Sequence, residues 1–407
     1  MNEQPLRVLI SVGELSADEH AALVVASLRR LLPQAEFKAM GGRKLREAGV
    51  DTVVDSEHSA SVMGFSEVFG SLRKVMAALS DLKKTINDWR PHLVMVLDYP
   101  DFNFRLIRFA KQKGCKVLYF IPPQVWAWRS GRVEFLKRFT DRIACIFPFE
   151  KPFLISKGYN RVEFVGHPLL DSGTFSPCNM EQRSTLKRSL GLDPLKPLVA
   201  VFPGSRRTEI ERHVAPMTAA IAKLQNKYPD VQAVINIAPS IDEDAVRQRV
   251  VPGCKLLVVK RPPHEVMQAC DAAVLKSGTS NLQAAICEVP FVMFYIASDV
   301  SAWIVKRFVR LKEFSMVNIL KSGSVRELTQ KEANADLLAS ELESLIYNGT
   351  RRAAMINDFR EIKSLLSTSP QSDPKDSSYD RVALLARDLL TGNEPLLKTS
   401  SGNCTHS

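Results

Sequence analysis

Short apolar runs rich in β-formers recur along the chain, spaced widely enough to leave room for helices. In the first half they are "RVLIS" (7–11), "EFKAMGG" (36–42), "LVMVLD" (93–98), "KVLYFI" (116–121), "IACIF" (143–147) and "VEFVG" (162–166). Amphipathic stretches such as "HAALVVASLRRLL" (20–32) and "FNFRLIRFAKQKG" (102–114) lie between them. Near-continuous apolar strands alternating with helical patterns predict parallel β/α units, because a parallel sheet is covered on both faces by its crossover helices.

A polar segment, "DSGTFSPCNMEQRSTLKRSLGLDPLKP" (171–197), interrupts this rhythm and predicts an interdomain region holding one short helix. The rhythm restarts with "LVAVFPGS" (198–205), "QAVINIAPS" (232–240), "KLLVVK" (255–260), "AAVLKSG" (272–278) and "FVMFYIA" (291–297). The expected fold class is therefore α/β. It would comprise two Rossmann-like, doubly wound domains facing a central cleft, with a helical C-terminal region over 331–391. The expected boundaries are 1–172, an interdomain region 173–197, 198–370, a helix over 371–391 and a polar tail over 392–407. No internal repeat of solenoid period is present.

A length of 407 residues, with 45% hydrophobic and 24% charged residues, suits two domains of ordinary size. The N-terminus carries no secretory signal pattern, and no apolar stretch is long enough to span a bilayer. Seven cysteines, at 115, 145, 178, 254, 270, 287 and 404, form no C-x-x-C pair. They predict neither a disulfide framework nor a metal site, and fit a reducing cytoplasm. The net charge of +11 points to an anionic partner: a phosphate-bearing small molecule, an anionic membrane surface or nucleic acid. No nucleic-acid-binding motif appears and the basic residues form no long run, so nucleic acid is not expected.

In open parallel sheets ligands bind outside the carboxyl ends of the strands, so the loops there carry the chemistry. "VFPGSRRTEIERH" (201–213) places Gly204 and Ser205 at a strand end before a helix. Free backbone N–H groups at such a point can bind an anion, and Arg206 adds a charged fork for a phosphate. "LKSGTSNLQAAICEVP" (275–290) repeats the design with Ser277, Gly278 and Thr279. Each turn alone reads as an ordinary turn with a helix cap; two together suit a nucleotide diphosphate. The absence of G-x-x-x-x-G-K-[ST] argues against a P-loop ATPase.

"VLDYPDFNF" (96–104) ends a buried strand with Asp98, Asp101 and Asn103. Either aspartate can serve as general base towards a hydroxyl, while capping the next helix is the other role open to Asp101. At the first strand end, "SVGELSADEH" (11–20) is poor in glycine and rich in carboxylates. Ser16 and Glu19 fit a capping box. Gly13, Glu14 and Asp18 remain, suited to sugar hydroxyls and unsuited to direct contact with a phosphate. Val62, Met63, Phe65, Val68, Phe69 and Leu72 suit a core-facing helix or a lip for an acyl chain. In "SAWIVKRFVRLKEF" (301–314), Ile304, Phe308 and Leu311 share a helical face, with Lys306, Arg307, Arg310 and Lys312 beside it. That pattern fits a helix lying on an anionic membrane, or a solvated helix on the protein core. Trp126 and Trp128 stand beside Arg129 and Arg132, and His167 closes a strand as a secondary acid–base candidate.

Taken in order, "VGELSAD", "SVMGFSEV", "LDYPDFN", "PPQVWAWR", "FPFEKPF", "VGHPLLD", "FPGSRRTEI", "KSGTSNLQA" and "FSMVNIL" make the chain resemble the lipid-A-disaccharide synthases over roughly residues 6 to 390. The resemblance implies a metal-independent GT-B glycosyltransferase without a cofactor. Such an enzyme condenses UDP-2,3-diacylglucosamine with 2,3-diacylglucosamine 1-phosphate into a β-1,6-linked disaccharide 1-phosphate, releasing UDP. It also implies a cytoplasmic protein, peripheral on the inner membrane of Gram-negative bacteria, and leaves a homodimer open. The UDP side would be Gly204, Ser205, Arg206, Ser277, Gly278, Thr279, Gln283 and Asn318, with Asn318 lining the cleft. The catalytic set would be Asp98, as leading base on the acceptor 6-hydroxyl, with Asp101 and Glu14. The acceptor and acyl side would be Gly13, Ser16, Asp18, Met63, Gly64, Asn103, Trp128 and Arg129.

Three departures stand out. Ala17 replaces a usual glycine, Gln283 a glutamate that grips the ribose, and Met316-Val317 a usual Leu-Pro. They leave two alternatives open: another GT-B enzyme of UDP-sugars, or a non-catalytic paralogue that binds nucleotide sugar or lipid.

Overall fold

The computed structural model describes residues 5–56, 68–127, 131–297, 313–368 and 376–392, with the side chains of Leu15 and 68–72 outside that description. The chain divides into two units, Met1–Asp171 with Thr368–Ser407, and Ser172–Ser367.

The first unit runs β1 (Arg7–Val12), α1 (Leu15–Leu31), β2 (Glu36–Gly41), α2 (Arg43–Glu47), β3 (Asp51–Asp55), α3 (Val68–Trp89), β4 (Leu93–Leu97) and α4 (Pro100–Gln112). It continues with β5 (Lys116–Phe120), α5 (Arg132–Phe139), β6 (Arg142–Cys145), α6 (Glu150–Ser156) and β7 (Val162–Phe164). All its strand pairs are parallel, in the order β3-β2-β1-β4-β5-β6-β7. β4 is buried along its whole length, and its "LVMVL" is the unbroken apolar run that helices on both faces require. The strand "DTVVD" of β3 escapes the sequence pattern because it lies at the sheet edge, where polar ends are tolerated.

The second unit comprises α7 (Met180–Ser189), β8 (Leu198–Phe202), α8 (Arg207–Lys227), β9 (Gln232–Asn236), α9 (Glu243–Arg247), β10 (Leu257–Val259) and α10 (Pro263–Ala269). Next come β11 (Ala272–Lys276), α11 (Thr279–Ile286), β12 (Phe291–Tyr295), α12 (Met316–Leu320), β13 (Glu327–Thr329), α13 (Ala335–Tyr347) and α14 (Gly349–Leu366). This sheet is also parallel, ordered β10-β9-β8-β11-β12-β13. The polar segment around α7 is tied into this unit. Asp271, just before β11, takes Arg183 at 3.1 Å and the buried Lys187 at 2.8 Å, and accepts the Leu198 N–H at 2.9 Å.

The last helix, α15 (Ser378–Thr391), belongs to the first unit. It lies along α1, where the Tyr379 hydroxyl meets His20 Nδ1 at 2.9 Å and the Ser27 hydroxyl donates to Asp380 at 2.7 Å. Arg381 Nε donates to the Val165 carbonyl at 2.8 Å, and Asp171 accepts the Ser378 N–H at 2.9 Å. Val382, Ala383, Leu385 and Ala386 are buried beneath these polar ties. Truncating a buried leucine costs about 2–5 kcal/mol. Leu385→Ala is therefore expected to lower the unfolding free energy of the first unit, read from urea titration, by that order; an unchanged urea midpoint would show that α15 contributes no packing there.

Candidate active site

Each sheet reverses its winding at one place. In the first unit β1 leads outwards to β2 and β3, whereas β4 leads the other way, so the reversal lies between β1 and β4. In the second it lies between β8 and β11. Loops leaving such a strand pair part to opposite faces and open a crevice at the carboxyl ends.

At the first reversal Val12 pairs with Leu97, which sets Gly13 beside Asp98 and Tyr99. The Tyr99 ring covers Gly13 so closely that a Cβ there would sit 2.6 Å from ring carbons. Asp98 and Tyr99 both adopt left-handed backbone, with φ of +47° and +45°. For non-glycine residues that conformation costs of order 1–3 kcal/mol each and needs surrounding structure to hold it. Asn103 supplies much of the hold. Fully buried, it donates Nδ2 to the carbonyls of Leu97 (3.2 Å) and Asp98 (2.8 Å) and accepts the Ser11 hydroxyl at 2.7 Å. The Tyr119 hydroxyl donates to the same Asp98 carbonyl at 2.8 Å. With its backbone so fixed, Asp98 presents a half-buried carboxyl. Burial pushes the pKa of that carboxyl up, against a smaller opposing effect of the Tyr99 N–H.

At the second reversal Gly204, with φ of +125°, allows a close approach by Glu209. A Cβ at 204 would lie 2.3 Å from Glu209 Oε2. That oxygen accepts the N–H groups of Ser205 (2.9 Å) and Arg206 (3.2 Å). The other carboxylate oxygen pairs with Lys276 Nζ at 3.0 Å. Burial raises the Glu209 pKa, but Lys276 and the two amides outweigh it and hold the carboxyl below its usual range. Arg206 stands exposed at the start of α8. In the neighbouring turn Gly278 is the N-cap of α11, followed by the exposed Thr279. The Ser277 hydroxyl donates to the Phe314 carbonyl at 3.4 Å. The buried His213 ties this face together. Its Nε2 accepts the Ile296 N–H at 3.1 Å and its Nδ1 donates to the Pro203 carbonyl at 2.7 Å, a pairing that requires the neutral ring. Burial, the largest influence, lowers its pKa in keeping with that form.

The family profile described as lipid-A-disaccharide synthetase matches residues 8–376. The lipid-A-disaccharide synthase of Geobacter metallireducens is 40% identical over 338 residues, covering 83% of this chain and 86% of the relative. The chain belongs to the lipid-A-disaccharide synthase family. The synthase of Coxiella burnetii is 34% identical over 384 residues, covering 94% of this chain and 98% of that one. Among solved structures, the UDP-GlcNAc 2-epimerase of Neisseria meningitidis bound to UDP-GlcNAc aligns with a TM-score of 0.61 at 13% identity, covering 89% of this chain and 97% of the epimerase. The calicheamicin glycosyltransferase CalG4 aligns at 0.57 and 15% identity, covering 96% and 99%. At such identities these two speak for the fold, which is of GT-B type. Family and fold together make the chain a glycosyltransferase of lipid A biosynthesis.

Within this synthase family member, several side chains expected at the substrate prove to be fasteners. Asp18 is buried, and its two oxygens accept the N–H groups of Gly42 (2.6 Å) and Lys44 (2.8 Å), so it caps α2. Ser16 lies inside α1, whose N-cap is Glu14, so the Ser16–Glu19 capping box does not form. Glu14 itself is exposed at the strand end. Ala17 is buried in the first turn of α1, where a methyl is accommodated. Asp101, 80% exposed in the first turn of α4, pairs with Arg132 at 2.6 Å, so that of the two aspartates in this loop Asp98 is the half-buried one. Asn318 is buried. Its Nδ2 donates to the Val325 carbonyl (2.9 Å) and Glu327 Oε1 (2.8 Å), and its Oδ1 accepts the Val325 N–H (2.9 Å). It therefore pins the segment after Phe314, with both polar ends of its side chain spent there. The amides of Ser205 and Arg206, expected free for an anion, are occupied by Glu209. Gln283 is half-buried, within α11. His167 accepts the Leu169 N–H at 3.2 Å, and burial, then the charge of His20, lowers its pKa to about 3, as suits a structural imidazole.

Met63, Gly64, Trp128, Arg129 and most of the 301–314 segment lie outside the described residues. Sequence reasoning missed Glu209, Lys276 and Glu150. Glu150 is buried and accepts Trp126 Nε1 at 3.2 Å and the N–H groups of Ile146 (3.2 Å) and Phe147 (3.1 Å); burial raises its pKa to about 7. The signal for Glu209 was its place five residues after Gly204, in the first turn of α8. Gly204→Ala is expected to evict Glu209 from its amides and lower the melting temperature; a variant with wild-type melting would contradict that geometry. Asn103→Ala is expected to cost about 2–4 kcal/mol of stability through its lost buried hydrogen bonds, measured by urea unfolding. An unchanged urea midpoint would rule that role out.

Proposed function

We propose that the chain transfers 2,3-diacylglucosamine from UDP-2,3-diacylglucosamine to the 6-hydroxyl of 2,3-diacylglucosamine 1-phosphate, giving a β-1,6-linked disaccharide 1-phosphate and UDP. The observation that carries this most is Asp98: a half-buried carboxyl at the β1/β4 reversal, on a left-handed backbone fixed by Asn103 and Tyr119. A carboxyl whose pKa is raised is a stronger base towards an alcohol than an ordinary aspartate. In this scheme Asp98 takes the hydroxyl proton as the oxygen attacks the anomeric carbon, with inversion. Charge builds on the departing UDP. The Arg206 side chain and the N-terminal turn of α11 are suited to stabilise it. Peripheral attachment to an anionic membrane fits the net charge of +11, and among the described residues no helix is long and apolar enough to cross a membrane.

Incubation with both diacyl sugars is expected to give equal amounts of disaccharide 1-phosphate and free UDP; turnover of UDP-GlcNAc alone would instead mark an epimerase. General-base catalysis contributes about 10²–10⁴-fold. Asp98→Ala is expected to lose transfer by that order while keeping UDP affinity, and wild-type turnover would remove Asp98 from the mechanism. The base acts ionised, so kcat/KM should hold at high pH. It should fall as pH drops through an apparent pKa above the ordinary aspartate range, and a flat profile there would contradict the assignment.

A further inference from the structure

We infer that Lys276 is a second phosphate-binding cation beside Arg206, set between the two turns of the β8/β11 reversal and held there by Glu209. This rests on the UDP side lying in the second unit. Lys276 ends β11, its side chain about one quarter exposed. Its Nζ lies 3.0 Å from Glu209 Oε1, 3.8 Å from where a Cβ on Gly278 would sit, and 5.8 Å from the centre of the Tyr295 ring. The ammonium therefore touches the Gly204–Arg206 turn through Glu209 and adjoins the Ser277–Thr279 turn directly.

Glu209 explains why a cation is needed. Its carboxylate occupies the amides that a phosphate would otherwise use, and Gly204 leaves room for nothing bulkier beside it. A fixed negative charge at this reversal would repel an incoming diphosphate. Lys276 offsets that charge, and an ammonium has three N–H donors, of which Glu209 takes one. A strongly hydrated point charge on a flexible stem can keep that partner and still receive a phosphate oxygen. Diphosphate contacts then come from side chains and the α11 turn rather than from the Ser205 and Arg206 amides.

The test is UDP titration calorimetry on the full chain for Lys276→Met, Glu209→Gln, the double variant and Arg206→Ala, with thermal melts as controls. A hydrogen bond to a charged group is worth about 10- to 100-fold in affinity. Lys276→Met is expected to weaken UDP by that factor and to leave uridine affinity unchanged. The double variant should stay weak, because the lost contact is with the ligand. UDP affinity within two-fold of wild type in Lys276→Met, an equal loss for uridine, or full recovery in the double variant each overturns the inference. Recovery would show that Lys276 only neutralises Glu209. Where Lys276→Met fails to fold, Lys276→Gln is read against the same outcomes. If Arg206→Ala also binds UDP normally, the UDP-side assignment itself falls, not Lys276 alone.

Discussion

Handedness dominates this structure. A crossover between parallel strands is right-handed almost without exception, so a sheet built outwards from its middle sends its helices to opposite faces. Both sheets here are built in that way, reversing at β1/β4 and at β8/β11. The chain cannot close loops over the strand ends at those two places, and the candidate chemistry gathers there. Asp98 and Glu14 follow β4 and β1; Arg206 and Ser277 follow β8 and β11.

A crevice alone does not aim a side chain. At each reversal a buried polar residue fixes the backbone so that a neighbour can face outwards. Asn103 does this for Asp98, Glu209 for the Gly204–Arg206 turn, and Asn318 with Glu327 for the segment that meets Ser277. Their polar atoms are spent on backbone groups and on neighbouring side chains, Ser11 for Asn103 and Lys276 for Glu209, which is what burial demands of them. The same residue types therefore divide into two kinds at one site. The fasteners are buried or half-buried with their polar atoms paired, and the groups proposed for substrate are half-buried or exposed.

Strand and helix alternation was legible because the central strands are apolar runs and the crossovers amphipathic. β3 and β13 were not, since "DTVVD" and "ELT" are short, polar-ended and peripheral. Asp98 could be placed from its position at the end of "LVMVL". The fates of Asp18 and Asn318 could not, because each bonds across a loop whose path depends on tertiary packing. Capping by Asp18 reaches Gly42 and Lys44, more than twenty residues away. The docking of α15 on α1 joins residues more than 350 apart, and no local pattern encodes it. Family motifs marked where candidate site residues cluster, yet could not separate a ligand from a fastener.

Hydrogen–deuterium exchange with and without UDP tests the central assignment most directly. The nucleotide is expected to slow exchange around 205–209 and 277–281, while 13–18 and 98–103 stay unchanged. Protection confined to those two stretches of the first unit, with none at the β8/β11 reversal, would contradict the assignment.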